Sequence, residues 1–155
     1  MTDDAIEARL RDLGHTLPEA TAPLASYVPY VLTGDLLHVS GQIAMADGKV
    51  ITGRLGDTIG IEEAARGAES CALMLLAQVR AATGSLARLD KVVKLTGFVA
   101  SAPDFFDQPK VVNGGSNLMV AVLGPEVGNH ARSSVGVAAL PLGAAVEIEG
   151  IFRIR

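Results

Sequence analysis

Apolar residues recur at three- and four-residue spacing through Ile61, Ala64, Ala65, Ala68, Cys71, Ala72, Leu75, Leu76 and Val79. That period keeps one stripe of a helix apolar and predicts an amphipathic helix over 61–82, ended by Thr83-Gly84. At a rise of 1.5 Å per residue such a helix would run roughly 33 Å, and its alanines would allow close packing on a sheet. Elsewhere the period shortens to two. The run YVLTGDLLHVSGQIA reads as a β-hairpin, with two β-rich stretches flanking the tight-turn signal Thr33-Gly34-Asp35. Residues 91–101 read as a strand, 133–140 as another and 145–154 as the last, with a turn over 141–144.

Caps and breakers supply the remaining elements. Thr2 suits an N-cap, Asp3 and Asp4 suit the positive end and Gly14 the exit of a short helix over 3–13. The stretch HTLPEATAPLASYVP carries Pro18, Pro23 and Pro29 and reads as an ordered loop or extended arm. Asp47-Gly48 marks another turn, 49–52 a short strand and 53–60 a loop. Pro103-Asp104 opens a second helical region reaching about Leu123, which Gly114 and Gly115 weaken by about 1 kcal/mol each relative to alanine. There is no sign of an internal repeat or a second domain. The reading is one domain over 1–155, with a helix and arm over 1–21 and a core over 22–155.

Hairpin, helix, strand, helix and two strands make an α+β order. The economical solution is a two-layer fold, a mixed β-sheet with two main helices on one face. In the hairpin, Leu37, Val39 and Gly41 alternate with Leu36, His38 and Ser40. The pattern supplies few polar residues to wet the sheet's other face, so a closed oligomer burying that face is expected.

Composition narrows the class. Of 155 residues, 49% are hydrophobic and 19% charged, which describes a globular chain rather than a disordered one. No apolar run reaches the roughly 18 residues of a membrane span. The acidic start MTDDAIEARLRDLG lacks a signal-peptide pattern, and Cys71 is the single cysteine; both lead us to expect a cytoplasmic protein. Net charge is −4, without tryptophan or a basic cluster, which weighs against a nucleic-acid partner. His15, His38 and His130 show no metal-ligand spacing, and Cys71 in mid-helix reads as core packing. Phosphate-loop, dinucleotide and G-x-S-x-G patterns are missing, so neither metal nor cofactor is expected.

The chemistry concentrates in HARSSVGVAALPLGAAVEIEGI. On its first strand Arg132, Ser134, Gly136 and Ala138 share one face, with Ser133, Val135 and Val137 on the other. Arg132 would stand above small residues and could grip a carboxylate through two parallel hydrogen bonds. Spacing alone favours a plainer role, pairing with Glu147 or Glu149. Those glutamates share a face of the last strand. A carboxylate near Arg132 could hold a water or move a proton; a solvated polar face is the alternative, and the better one for Glu149.

Three segments together resemble the RidA/YjgF family, also called L-PSP endoribonuclease. They are Ser40-Gly41-Gln42-Ile43, Arg132-Ser133-Ser134-Val135, and Leu140-Pro141 followed by Val146-Glu147-Ile148-Glu149. The resemblance covers roughly residues 22 to 155. It implies a chorismate-mutase-like fold and a homotrimer whose sheets form a central barrel, with a cleft between each pair of subunits. It also implies cofactor-free hydrolysis of reactive 2-imino acids to 2-keto acids and ammonia. By the same resemblance Arg132 grips the substrate carboxylate and Glu147 positions the attacking water. Tyr27, in preference to Tyr30, lines the cleft with Ser40 and Gly41, and Asn113 lies on the second helix. Ser134 would join them, where deaminase members usually carry cysteine. Two other readings stay open. One is a trimer that binds small carboxylates such as 2-keto acids without turnover; the other, the least favoured, is an endoribonuclease or translation inhibitor.

Overall fold

Segments of period two and period three-and-a-half sort into two layers in the computed structural model, which describes residues 1–21 and 26–155. The strands are β1 Tyr30–Thr33, β2 Leu36–Ile43, β3 Met45–Ala46, β4 Lys49–Val50, β5 Leu89–Ala100, β6 Ala131–Val137 and β7 Val146–Ile154. Five of them form one sheet in the order β1-β2-β7-β5-β6, and β3 and β4 make a separate ribbon. Only β5 and β6 pair in parallel. Parallel neighbours need a crossover, and helix α3 Gln108–Gly128 provides it.

Helix α2 Ile61–Thr83 and α3 cover one face of the sheet. The apolar stripe of α2 is buried, and Gly84 in the left-handed conformation closes the helix at φ 79°. Opposite it, Leu37, Val39, Val92, Leu95, Val99, Val146, Ile148 and Phe152 point from the sheet into the core. Full burial of each large side chain contributes about 1.5–3 kcal/mol. Helix α1 Asp3–Asp12 is capped by Thr2, whose hydroxyl accepts from the Ala5 amide at 3.3 Å. It buries Ile6 and Leu10, and Arg9 Nη1 donates to the Val122 carbonyl of α3 at 3.1 Å. Among the described residues no helix is long and apolar enough to cross a membrane.

The α+β, two-layer reading holds, with several boundaries corrected. Helix α3 starts at Gln108, because Pro109 belongs in a first turn, where its missing N–H costs nothing. It continues past Leu123 through a kink at Gly124 and Pro125 to Gly128. Strand β6 runs Ala131–Val137 rather than 133–140, its span set by parallel pairing from Lys94↔Ala131 to Ala100↔Val137. The strand expected over 49–52 shortens to β4, and Thr52 keeps a single bridge to Ala144. Pro23, assigned to the arm, lies outside the described residues.

A bulge produces the most consequential correction. Between Val39↔Gly150 and Gln42↔Ile148, β2 uses one more residue than β7. An extra residue in one strand shifts every later side chain to the other face. Gln42 therefore takes the buried position, and Gly41 leaves the face it was expected to share with Leu37 and Val39. The open face is also more polar than the sequence pattern suggests. By register, Lys94, Thr96, Glu147, Glu149 and Arg153 share it with Phe98, Val135 and Ile151.

The two helices of the helical layer meet closely where α3 packs on α2. A Cβ on Gly114 would overlap the Ala65 carbonyl oxygen and lie 2.8 Å from its carbon, and one on Gly115 would lie 3.0 Å from the Ala68 oxygen. Both glycines therefore set the distance between helices, a gain that helix propensity alone does not register.

Candidate functional site

Strand β6 is an edge of the sheet, and its register with β5 sets Arg132 beside Leu95, facing the helices. The side chain crosses onto α3. Its Nη1 donates to Asn113 Oδ1 at 2.9 Å and Ser116 Oγ at 3.0 Å, and Nη2 donates to the Pro109 carbonyl at 3.4 Å. Asn113 and Ser116, three residues apart, share a helix face. All three acceptors are neutral, and the guanidinium is only partly shielded from solvent. No acidic group pairs with it among the described residues, so the pairing with Glu147 or Glu149 that spacing favoured does not form. Partial burial draws the arginine's pKa down.

Sequence reasoning missed two supports of this arginine. His130 Nδ1 lies 2.6 Å from the Gly128 carbonyl, which fixes its proton there. Nε2 is then the acceptor for the Ser116 hydroxyl at 3.0 Å, leaving the Ser116 oxygen free to accept from Arg132. Burial first, then the charges of Arg132 and Lys91, hold His130 below its ordinary pKa and favour this neutral form. The two-residue spacing of His130, just before β6, from Arg132 was the available signal; Ser116 had none beyond its helical offset from Asn113. Ser134 lies two residues along that face, opposite Gly97, with its Oγ buried and without a hydrogen-bond partner.

Glu147 lies elsewhere. It sits opposite Ile43 of β2 and Phe98 of β5 on the sheet's open face, so the sheet itself separates it from Arg132. Within one chain β7 and β6 aim the Glu147 and Arg132 side chains to opposite faces, so the same chain does not supply a carboxylate beside Arg132 from β7. The bulge makes room for Glu147, since a Cβ on Gly41 would fall 2.8 Å from its Cδ and overlap one carboxylate oxygen. Gln42 Nε2 braces the bulge by donating to the Ser40 carbonyl at 2.8 Å. Ser40 Oγ donates to the Val28 carbonyl and its N–H to the Pro29 carbonyl, both at 2.9 Å. This ties down the segment bearing Tyr27, which is 52% exposed. One chain thus carries two separated groups: Arg132, Asn113 and Ser134, and Glu147, Gly41, Ser40 and Tyr27.

Desolvation, then repulsion from Glu149, raises the Glu147 pKa above the usual carboxylate range. The folded chain therefore keeps that proton to higher pH than the unfolded one, and stability falls as pH rises through the interval between them. Glu147→Gln is expected to melt above the wild type at pH 7 and to lose that advantage below about pH 4, where both states are protonated. Melting curves at the two pH values check this; an advantage of equal size at both would rule out the carboxylate charge as its source. Cys71 is core packing, with Sγ 3.9 Å from the Val146 carbonyl. Burial, then the charge of Glu147, pushes its thiol far up in pKa, away from nucleophile behaviour.

Comparison with known proteins gives concordant matches. A family model described as "YjgF/chorismate_mutase-like, putative endoribonuclease" matches residues 7–149. Protein TCP17 of Trypanosoma cruzi is 47% identical over 151 residues, 97% of this chain and 94% of that protein. The RutC family protein y4sK of Sinorhizobium fredii (strain NBRC 101917 / NGR234) is 32% identical over 136 residues, 88% of this chain and 93% of that one. Among solved structures, the protein Atu1372 of Agrobacterium tumefaciens, described as of unknown function, superimposes with a TM-score of 0.92 at 50% identity, covering 99% of this chain and 94% of that one.

Proposed function

This chain belongs to the YjgF/chorismate mutase-like family and has its chorismate-mutase-like fold, and from that premise we propose that it is a hydrolytic deaminase of reactive 2-imino acids. The products are 2-keto acids and ammonia. The observation that carries the reading is the Arg132 guanidinium, held by three neutral oxygens with no acidic partner among the described residues. A cation oriented in this way can take a small carboxylate through paired, charge-assisted hydrogen bonds.

Glu147 activates the water. The oxygen bonds to the imine carbon as the C=N π pair moves to nitrogen, and Glu147 takes the proton water gives up and delivers it to that nitrogen. The resulting carbinolamine expels ammonia as its C–O bond becomes the keto carbonyl. A carboxylate whose pKa is raised is a stronger base for that proton than an ordinary glutamate. The imine carbon is already electrophilic, so proximity and orientation suffice, without metal or cofactor.

Arg132 and Glu147 face opposite sides of one sheet, so a complete site needs two copies of the chain. The proposal is therefore a cytoplasmic homotrimer with clefts between copies. Arg132, Asn113 and Ser134 come from one side of each cleft and Glu147, Gly41, Ser40 and Tyr27 from the other. Exposed Tyr27, Val28, Val31 and Leu32 around β1 supply apolar surface for such a contact.

The test generates imines with an amino-acid oxidase and follows keto-acid release. The protein is expected to accelerate release severalfold for at least one of several amino acids. No acceleration with any of them overturns the proposal. Ser134, with its unpartnered hydroxyl at the position where deaminase members usually carry cysteine, favours a second reading, a carboxylate-binding trimer without turnover. Saturable 2-ketobutyrate binding without imine hydrolysis would support that one. Ribonuclease activity finds little support in a chain of net charge −4.

A further inference from the structure

A cavity of about 400 Å³ opens where the loop after β4 meets the end of β5, lined in part by Arg54, Ser101, Phe105, Phe106, Gln108 and Gly136. Among the described residues no carboxylate lines it, and Arg54 is its single cation. The backbone of Arg54 is fixed. Its N–H donates to Thr58 Oγ1 at 2.9 Å, and its carbonyl accepts from the amides of Asp57, Thr58 and Ile59 at 2.9–3.3 Å. The next residue, Leu55, is fully buried and exchanges hydrogen bonds with Ala100 and Ala102 at 2.8 and 2.9 Å. The preceding Gly53 has φ 139°, and a Cβ there would sit 2.8 Å from that of Ile59, so only glycine fits.

The Nε of Arg54 is nevertheless buried without an acceptor, and the side chain forms no ion pair among the described residues. Nε is closed to solvent and so to any ligand; Arg54 meets the cavity through the rest of its side chain, whose charge has no acidic partner among the described residues. The opposite wall is apolar. Gln108 Nε2 donates to the Phe105 carbonyl at 2.7 Å and holds the loop carrying Phe106, whose side chain is left 81% exposed. At Gly136 the space a Cβ would take is filled by Ser101 Oγ at 2.7 Å and Gln108 Nε2 at 2.8 Å, so the two polar side chains pack directly on the backbone there.

We propose that this cavity is a second anion-binding site, taking a small carboxylate that carries an aromatic or branched apolar group. The carboxylate pairs with Arg54 and the apolar body covers Phe106. Its volume falls within the range of small-ligand pockets. Arg132 does not line the cavity, so the proposal stands whether or not the imine chemistry holds.

Benzoate is the probe, titrated calorimetrically into the intact protein, with acetate and benzyl alcohol as controls. Benzoate is expected to bind saturably and both controls about tenfold more weakly or worse. Arg54→Gln should weaken benzoate about tenfold and Phe106→Ala about threefold at this site, while Arg132→Gln, which removes any carboxylate grip in the proposed cleft, leaves the Arg54-dependent binding in place. If Arg54→Gln does not fold, Arg54→Lys, which keeps the charge but loses the fork, should still weaken benzoate about threefold. The proposal is overturned if wild type shows no saturable binding. It is equally overturned if the Arg54 variants bind as wild type does, or if affinity is lost with Arg132→Gln.

Discussion

Arg132→Ala is expected to lower kcat/KM for imine hydrolysis about 30- to 150-fold while leaving the chain folded. Removing one partner of a hydrogen-bonded charge pair costs about 2–5 kcal/mol. Arg132 is only partly shielded, so the lower part of that range, about 2–3 kcal/mol, applies, and it converts to the stated factor. In the proposed reaction the carboxylate would be gripped alike before and during water attack, so most of the loss should appear in KM. Arg132→Lys keeps the charge without the fork and should fall between, about tenfold down. Stability should barely move, because Asn113 Oδ1, Ser116 Oγ and the Pro109 carbonyl can turn to water in the partly open site. Steady-state kinetics with the oxidase-coupled assay, alongside melting curves, separate the two effects. Unchanged kcat/KM in a folded Arg132→Ala would remove the carboxylate grip from the mechanism.

What the sequence made legible followed from period and punctuation. The long helix over 61–82 came within one residue of α2, because its apolar stripe and terminal glycine agree. The assignment of Arg132, Ser134 and Gly136 to one face of a strand also matches the observed register. Two things were out of reach. The bulge at Ser40 and Gly41 leaves no mark in the alternation, since it is fixed by pairing with β7, a strand more than 100 residues away. The opposed directions of Arg132 and Glu147 also depend on non-local register, because alternation within each strand does not say which face of one matches which face of the other. Roles for Tyr27, Ser40, Gly41, Asn113, Ser134 and Glu147 accordingly rest on the family and on a second copy of the chain, not on the pattern.

The glycines of α3 show how a local rule misleads when packing decides. By helix propensity, Gly114→Ala should stabilise by about 1 kcal/mol. The structure reverses the sign. The new Cβ would overlap the Ala65 carbonyl oxygen, a backbone atom of α2 that no rotamer change can move. The helices must separate or the new methyl must be squeezed. Overpacking of this kind costs about 1–3 kcal/mol, and here it meets two rigid backbones, so the upper end applies and a net destabilisation of about 2 kcal/mol is expected after the propensity gain. For a domain of this size that corresponds to a fall in melting temperature of roughly 4–8 °C. Activity should suffer too, because Asn113 and Ser116, which hold Arg132, flank the displaced turn. Chemical denaturation of Gly114→Ala, with Ala65→Gly as a second-site variant, checks the account. Since the obstacle is the Ala65 carbonyl and not its side chain, Ala65→Gly should not rescue Gly114→Ala; restored stability in the double variant would place the clash at the methyl group and refute the close backbone contact.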